Sequence, residues 1–186
     1  MAYDKQTFLK NVTVLVDTRE KKNSHILKQF DNLRIQYEDR ALDFGDYSFM
    51  MQRRDFSLSC VIERKGNINE LYGNFTSGRE CIEKEFRAGS SLAKEFILLI
   101  ENCADMEELK SYILPAWEMK AMKRQVANIG EICYSTIRSW QCGDRYHFRT
   151  IFVENQKESA VRILEEFYWY WRNFKKLTLS RRNRGD

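Results

Sequence analysis

The chain has 186 residues, 31 Lys and Arg against 27 Asp and Glu, a formal net charge of +4 and 43% hydrophobic content. That is enough chain for one well-filled core and short for two, and too apolar for a disordered segment. No apolar run approaches the ~20 residues that cross a bilayer, and the opening Met1-Ala2-Tyr3-Asp4-Lys5 lacks the apolar centre of a secretion signal.

In chain order, residues 12–16 (Val-Thr-Val-Leu-Val) read as a strand that ends in Asp17-Thr18-Arg19-Glu20. Ser24 is placed to cap a helix with Ile26, Leu27, Phe30 and Leu33 on one face. Strands are predicted near 35–40, 45–53 and 56–64, the last two forming a hairpin with Gln52-Arg53-Arg54-Asp55 at its turn. Ser77-Gly78-Arg79-Glu80 fits a capping box for a helix to about Ala88, and 96–101 is an apolar strand ending in Glu101. Met122, Val126, Ile129, Cys133, Ile137 and Trp140 predict one long helix over about 116–140. A strand at 147–153 and a helix at 158–174, with Ala160, Leu164, Phe167, Trp171 and Phe174 on one stripe, complete the reading. The fold class is α/β, a central mixed β-sheet flanked by helices.

Two short segments carry chemistry: Gly45-Asp46-Tyr47, and Glu63-Arg64-Lys65 at the end of an apolar strand. Alternate strand residues share a face, so Glu63 and Lys65 point together and Arg64 points away. Two carboxylates can hold a hard cation such as Mg²⁺, and a neighbouring Lys can position or deprotonate an attacking water. Charged alternation also occurs on ordinary solvent-facing strands. Here the charges follow Val61-Ile62, and the strand before Asp17 ends in charge as well, which argues for a cleft at the strand ends. The five cysteines (Cys60, Cys81, Cys103, Cys133, Cys142) show no CxxC spacing and have only His25 and His147 beside them. They read as free thiols of a cytoplasmic protein rather than a zinc site, and no Gly-rich phosphate loop points to a nucleotide cofactor.

Val16-Asp17-Thr18-Arg19-Glu20, Gly45-Asp46-Tyr47, Ile62-Glu63-Arg64-Lys65, Glu70-Leu71 followed by Gly78-Arg79, and the 96–101 strand occur in the order found in one family. In these features the chain resembles the XPF-type (Mus/XPF/Hef-like) structure-specific endonucleases of the PD-(D/E)xK nuclease superfamily. The resemblance implies a restriction-endonuclease-like core and metal-dependent hydrolysis of DNA phosphodiester bonds at branched, flap or fork-like structures, with Mg²⁺ or Mn²⁺. It implies Asp46 and Glu63 as metal ligands, Asp17 as a further one, and Lys65 at the attacking water. Arg64, Arg19 and Arg79 would orient the site or the scissile phosphate, with Glu20 and Glu70 in support. The chain departs from the pattern at Asn69, where the family has Asp; Glu70 is the nearer counterpart. Family members commonly carry a tandem helix-hairpin-helix domain, whereas this chain reads as a single nuclease domain over 1–186 with a basic tail at about 175–186.

Plainer readings stand beside these. Arg79 at i, i+4 from Glu83 fits a surface pair, and Arg19-Glu20 fits a solvated strand end. Phe167-Tyr168-Trp169-Tyr170-Trp171 has aromatics on every face of its helix, which points to an interface and, with the pairing habit of the family, to a homodimer. Arg172, Lys175, Lys176, Arg181, Arg182 and Arg184 form a tail expected to be mobile; it is either solvated or in contact with DNA phosphates. Lys120, Lys123 and Arg124 make a smaller basic cluster. Two rivals remain: a non-cleaving DNA-binding or partner subunit, and a restriction-type sequence-specific enzyme. A free-standing domain of this size is expected in a phage, a bacterium or a mobile element.

Overall fold

The computed structural model describes residues 2–184, the side chains of 2, 3, 144, 179 and 181–184 excepted. Its helices are α1 (Ala2–Asn11), α2 (Ser24–Leu33), α3 (Ile68–Phe75), α4 (Arg79–Leu92), α5 (Met106–Ser111), α6 (Ala116–Ala121), α7 (Ile129–Gln141) and α8 (Ser159–Arg184). Its strands are β1 (Val12–Asp17), β2 (Gln36–Arg40), β3 (Tyr47–Met51), β4 (Arg54–Asp55), β5 (Cys60–Lys65), β6 (Glu95–Glu101) and β7 (Arg149–Val153). They form one sheet in the order β2-β1-β3-β5-β6-β7, with β4 paired to β3. β3 runs antiparallel to β1 and β5, while β1–β2, β5–β6 and β6–β7 are parallel. This is the mixed sheet flanked by helices expected from the sequence.

Both faces of the sheet are covered, which explains why its central strands are continuous apolar runs rather than alternating ones. Cys60, Ile62, Ile97 and Leu99 pack into one layer with Ile26 and Phe30 of α2 and Ile163 and Phe167 of α8. Val61, Phe96, Leu98 and Ile100 pack into the other, with Leu71 and Phe75 of α3, Phe86 of α4 and Ile137 and Trp140 of α7. The hairpin is realised with β4 and a turn between its arms: Phe56 stacks on Phe49, ring centroids 4.6 Å apart, before the chain enters β5.

Several expectations are corrected. α1, α3 and α5 were not foreseen. The predicted 116–140 helix is two helices, because Leu114 N–H donates to the Ala127 carbonyl (2.7 Å) and Gly130 N–H to that of Tyr112 (3.2 Å), drawing the 122–128 connector off the helical path. Its apolar stripe is confined to Ile129, Cys133, Ile137 and Trp140, all buried, while Met122 is exposed. Ser77 does not cap α4; its hydroxyl donates to the Gly73 carbonyl at 3.2 Å, and Gly78 takes the capping position. Nor does the last helix stop at Phe174. The backbone stays helical through Arg184, since nothing in Lys175-Lys176-Leu177-Thr178 or the residues after it breaks a helix, so the expected mobile tail is a helical extension.

Candidate active site

The site forms where β1, β3 and β5 meet at one end of the sheet. The register Tyr47↔Ile62 sets Asp46, one step earlier, beside Glu63. Asp46 is tied down by its own backbone: its N–H donates to the Ile62 carbonyl, and its carbonyl accepts from Asp17 N–H, both at 2.8 Å. Its Oδ2 accepts from Arg64 N–H at 2.7 Å. Gly45 makes the approach feasible. Its φ is +73°, and a Cβ there would run into Val61 Cγ1 and lie 3.2 Å from the Ile62 carbonyl oxygen.

Glu63 and Lys65 point the same way, as strand alternation requires, and Lys65 Nζ lies 2.7 Å from Glu63 Oε1. Burial, followed by the neighbouring Glu63 charge, pushes the Asp46 carboxyl well above the usual carboxylate range. Burial works against charge on Lys65, but Glu63 and then Asp46 more than offset it, and its ammonium titrates above the ordinary lysine value. The buried Glu63 carboxylate and the partly buried Asp46 carboxylate, served by one ammonium, form a centre that a cation would relieve. The donor set is hard oxygen, and Asp46 Oδ2 alone is committed to a backbone N–H, so the pair fits a Mg²⁺-type ion completed by water and phosphate. Among the described residues no group of three or more His, Cys, Asp and Glu is arranged to hold a metal.

Asp17 is engaged by neighbouring donors. Its Oδ1 accepts from Arg19 N–H and Nε, each at 2.7 Å, and its Oδ2 from Leu42 N–H at 2.7 Å and Arg19 Nη2 at 3.1 Å. Burial opposes its charge, but these donors win and hold its carboxyl below the usual range. Asp17 staples the end of β1 to the loop that leads into Gly45. Arg64, which also lines the cleft, is held by protein partners. Its side chain is 2% exposed, with Nη1 2.7 Å from Glu101 Oε2 and Nη2 3.2 Å from both Glu20 Oε1 and the Lys22 carbonyl. It locks the β1–α2 loop to the end of β6. Arg64→Ala removes the guanidinium from buried Glu101 and from Glu20 and is expected to lower unfolding stability by about 3 kcal/mol. A urea midpoint close to that of the parent would show that Arg64 does not hold the site together.

Arg19, Glu20, Asp46, Lys65 and Glu70 line one cleft of about 270 Å³. Glu70 Oε2 accepts from Gly66 N–H at 3.0 Å, and its charge is felt at Lys65. Asn69 instead donates to Glu118 Oε2 at 2.9 Å. Arg79 lies outside the cleft. Its Nε is 2.8 Å from Glu83 Oε1, it stands over the Trp140 ring, and it lines a separate hollow against α7. The plain i, i+4 reading describes it. Lys175 pairs with Asp4 at 3.1 Å and Lys176 is exposed, while the side chains of Arg181, Arg182 and Arg184 fall outside the described residues. Glu85 of α4 was missed by the sequence reading. Its Oε2 accepts from Gly45 N–H at 3.1 Å, its Oε1 lies 3.4 Å from Arg19 Nη1, and burial, then Glu63, raise its carboxyl's titration. Its signal was a charge on the buried stripe of Ile82, Phe86 and Gly89, where apolar residues are the rule.

A mixed α/β domain with paired carboxylates and a lysine at its strand ends belongs to the class of nuclease-fold domains. The chain belongs to the ERCC4 domain family, whose match covers residues 16–165. Its structure is similar to XPF from Aeropyrum pernix, with TM-score 0.58 and 16% identity over 85% of this chain and 61% of that one. It is also similar to XPF from Aeropyrum pernix in complex with DNA, with TM-score 0.57 and 17% identity over 87% of this chain and 65% of that one. The chain thus spans under two thirds of the length of these solved structures. No curated protein matches it.

Proposed function

We propose that this domain is a metal-dependent endodeoxyribonuclease that cuts branched, flap or fork-like DNA. The observation that carries the reading is the Asp46–Glu63–Lys65 cluster, whose Asp46 and Lys65 line a cleft at the strand ends. Asp46 and Glu63 would hold Mg²⁺ or Mn²⁺, which would supply a Lewis acid to the phosphate and an acidified water. Lys65, 2.7 Å from Glu63, stands where it can position or activate the water that attacks the phosphate. Arg19, braced by Asp17 and Glu85, adds fixed positive charge at the rim. None of these groups reads a base, so recognition rests on DNA shape. The test is digestion of labelled duplex, splayed-arm, flap and four-way-junction DNA with Mg²⁺ or Mn²⁺. Cutting confined to branched forms is expected. Cutting of plain duplex at one sequence would place the domain with restriction-type enzymes, and binding without cutting on any form would make it a non-cleaving subunit.

The domain is also proposed to pair with a second copy of itself, through a smaller surface than the sequence implied. Most of the aromatic excess of α8 is absorbed within the chain: Trp171 and Tyr168 pack on Phe8 of α1, and Tyr170 and Phe174 on Phe56. Trp169 and Leu177 stay exposed, at 48% and 65%. Light scattering is expected to give the mass of a dimer, and of a monomer for Trp169→Glu; a monomeric parent at all concentrations would contradict the proposal.

A further inference from the structure

Beside the catalytic cleft, and sharing Lys22, Arg64 and Glu70 with it, runs a second groove of about 450 Å³. It lies beyond the carboxyl ends of β1, β5 and β6, between the two helix layers. One wall carries Lys22 and His25 from the start of α2, together with Gln156; the other carries Asn69 of α3 and Met122 and Arg124 of the α6–α7 connector. The acidic groups facing it are engaged: Glu101 by Arg64 at 2.7 Å and His25 at 2.9 Å, and Glu70 by Gly66 N–H. Among the described residues neither the Lys22 ammonium nor the Arg124 guanidinium is in a salt bridge with a carboxylate, though the Lys22 backbone N–H donates to Glu20 Oε1 at 2.8 Å, and Arg124 is held across the Tyr72 ring at 4.4 Å. An open groove whose Glu101 is paired by Arg64 and His25, with a cation on each wall that has no carboxylate partner, is complementary to an extended anion.

We propose that this groove seats the phosphodiester backbone of the DNA strand next to the scissile phosphate, with Lys22 and Arg124 as its phosphate contacts. The inference rests on the nuclease reading for the identity of the strand. It also reassigns the electrostatic contact that the sequence had placed at the C-terminus. Trp169, Tyr170, Phe174 and Leu177 of α8 line a cavity with Lys94 and Glu95, at the start of β6, whereas Lys65 and the groove lie at the other end of the same strands. Lys175 and Lys176 therefore belong to the end of the molecule remote from the cleft.

The experiment is fluorescence anisotropy of labelled splayed-arm DNA and matched duplex across a NaCl series, in an Asp46→Asn background so that binding is read without cutting. Each duplex phosphate contact contributes about 0.9 to the log–log salt slope. The Lys22→Ala/Arg124→Ala pair is expected to bind more weakly and to flatten the duplex slope by about 1.8. The charge-keeping pair Lys22→Arg/Arg124→Lys should retain the parental slope, which separates lost charge from disturbed folding. Removal of residues 178–186 should change the slope less than the alanine pair does. An unchanged slope in the alanine pair, an equal loss in the charge-keeping pair, a loss confined to the 178–186 deletion, or no DNA binding by the parent would overturn the proposal. A parent that binds with the expected slopes but never cuts would sink the nuclease reading and leave the groove standing.

Discussion

Asp46→Asn and Glu63→Gln are each expected to abolish DNA cleavage while leaving the fold and most DNA binding in place. Both side chains sit on strand-end backbone fixed by main-chain hydrogen bonds, so a near-isosteric amide disturbs little packing. What it removes is the anionic oxygen, and a neutral amide is a far poorer ligand for a hard cation. Asp46→Asn carries a second, opposite effect. A carboxyl whose titration is raised by folding contributes stability only below its ordinary range and loses it as pH rises through the folded value. At neutral pH Asp46 therefore works against the metal-free fold, and its amide should melt higher by a few degrees, since about 1 kcal/mol moves the midpoint ~2–4 °C at this chain length. Loss of cutting with gain in melting temperature marks a residue kept for chemistry at the expense of stability. Normal turnover by either amide variant across a metal titration, or a drop in the Asp46→Asn midpoint, would contradict the assignment.

Lys65→Ala is expected to lower single-turnover cleavage by about 10²–10⁴-fold, the span typical of a positioned proton donor or acceptor. Metal affinity should hold or tighten, because the variant frees Glu63 from its 2.7 Å ion pair. Lys65→Arg keeps the charge but not the compact ammonium geometry, and should recover part of the rate. The pH dependence separates the roles. Its carboxylate neighbours raise the Lys65 titration, so a cationic role predicts a rate that does not require Lys65 to lose its proton through neutral and mildly alkaline pH. Unfolding of Lys65→Ala together with loss of metal binding would make the lysine structural.

The sheet was legible because its strands are buried on both faces and read as largely apolar runs from 12 to 16, broken only by Thr13, and from 60 to 62 and 96 to 100. The Asp46–Glu63–Lys65 grouping was legible because strand alternation is a local rule and needs only a register to bring in Asp46. Helix α3 carried a readable stripe, Ile68, Leu71, Tyr72 and Phe75, and an Asn67 cap whose side chain accepts from Glu70 N–H at 2.9 Å. α1 did not, since Phe8 and Leu9 are adjacent and make no stripe; Phe8 is buried because Phe49 of β3 and Tyr168 and Trp171 of α8 lie against it. The partners of Asp17 and Arg64 were out of reach for the same reason. A carboxylate at a strand end looks alike whether it faces a metal or an arginine, and only the fold brings Leu42 to Asp17 and Glu101 to Arg64. Glu85 lies nearly forty residues beyond Asp46, and no spacing rule joins a helix to a loop across that distance.

The central claim is that Asp46 and Glu63 form a metal-dependent cutting centre. It is tested most directly by single-turnover cleavage of end-labelled splayed-arm DNA, the purified parent and Asp46→Asn being run side by side through a Mn²⁺ titration with an EDTA control. The account requires cleavage by the parent that rises with Mn²⁺ to saturation and vanishes with EDTA, and none by the variant at any metal concentration. Cleavage by the parent that persists in EDTA, or equal cleavage by both proteins, would contradict it.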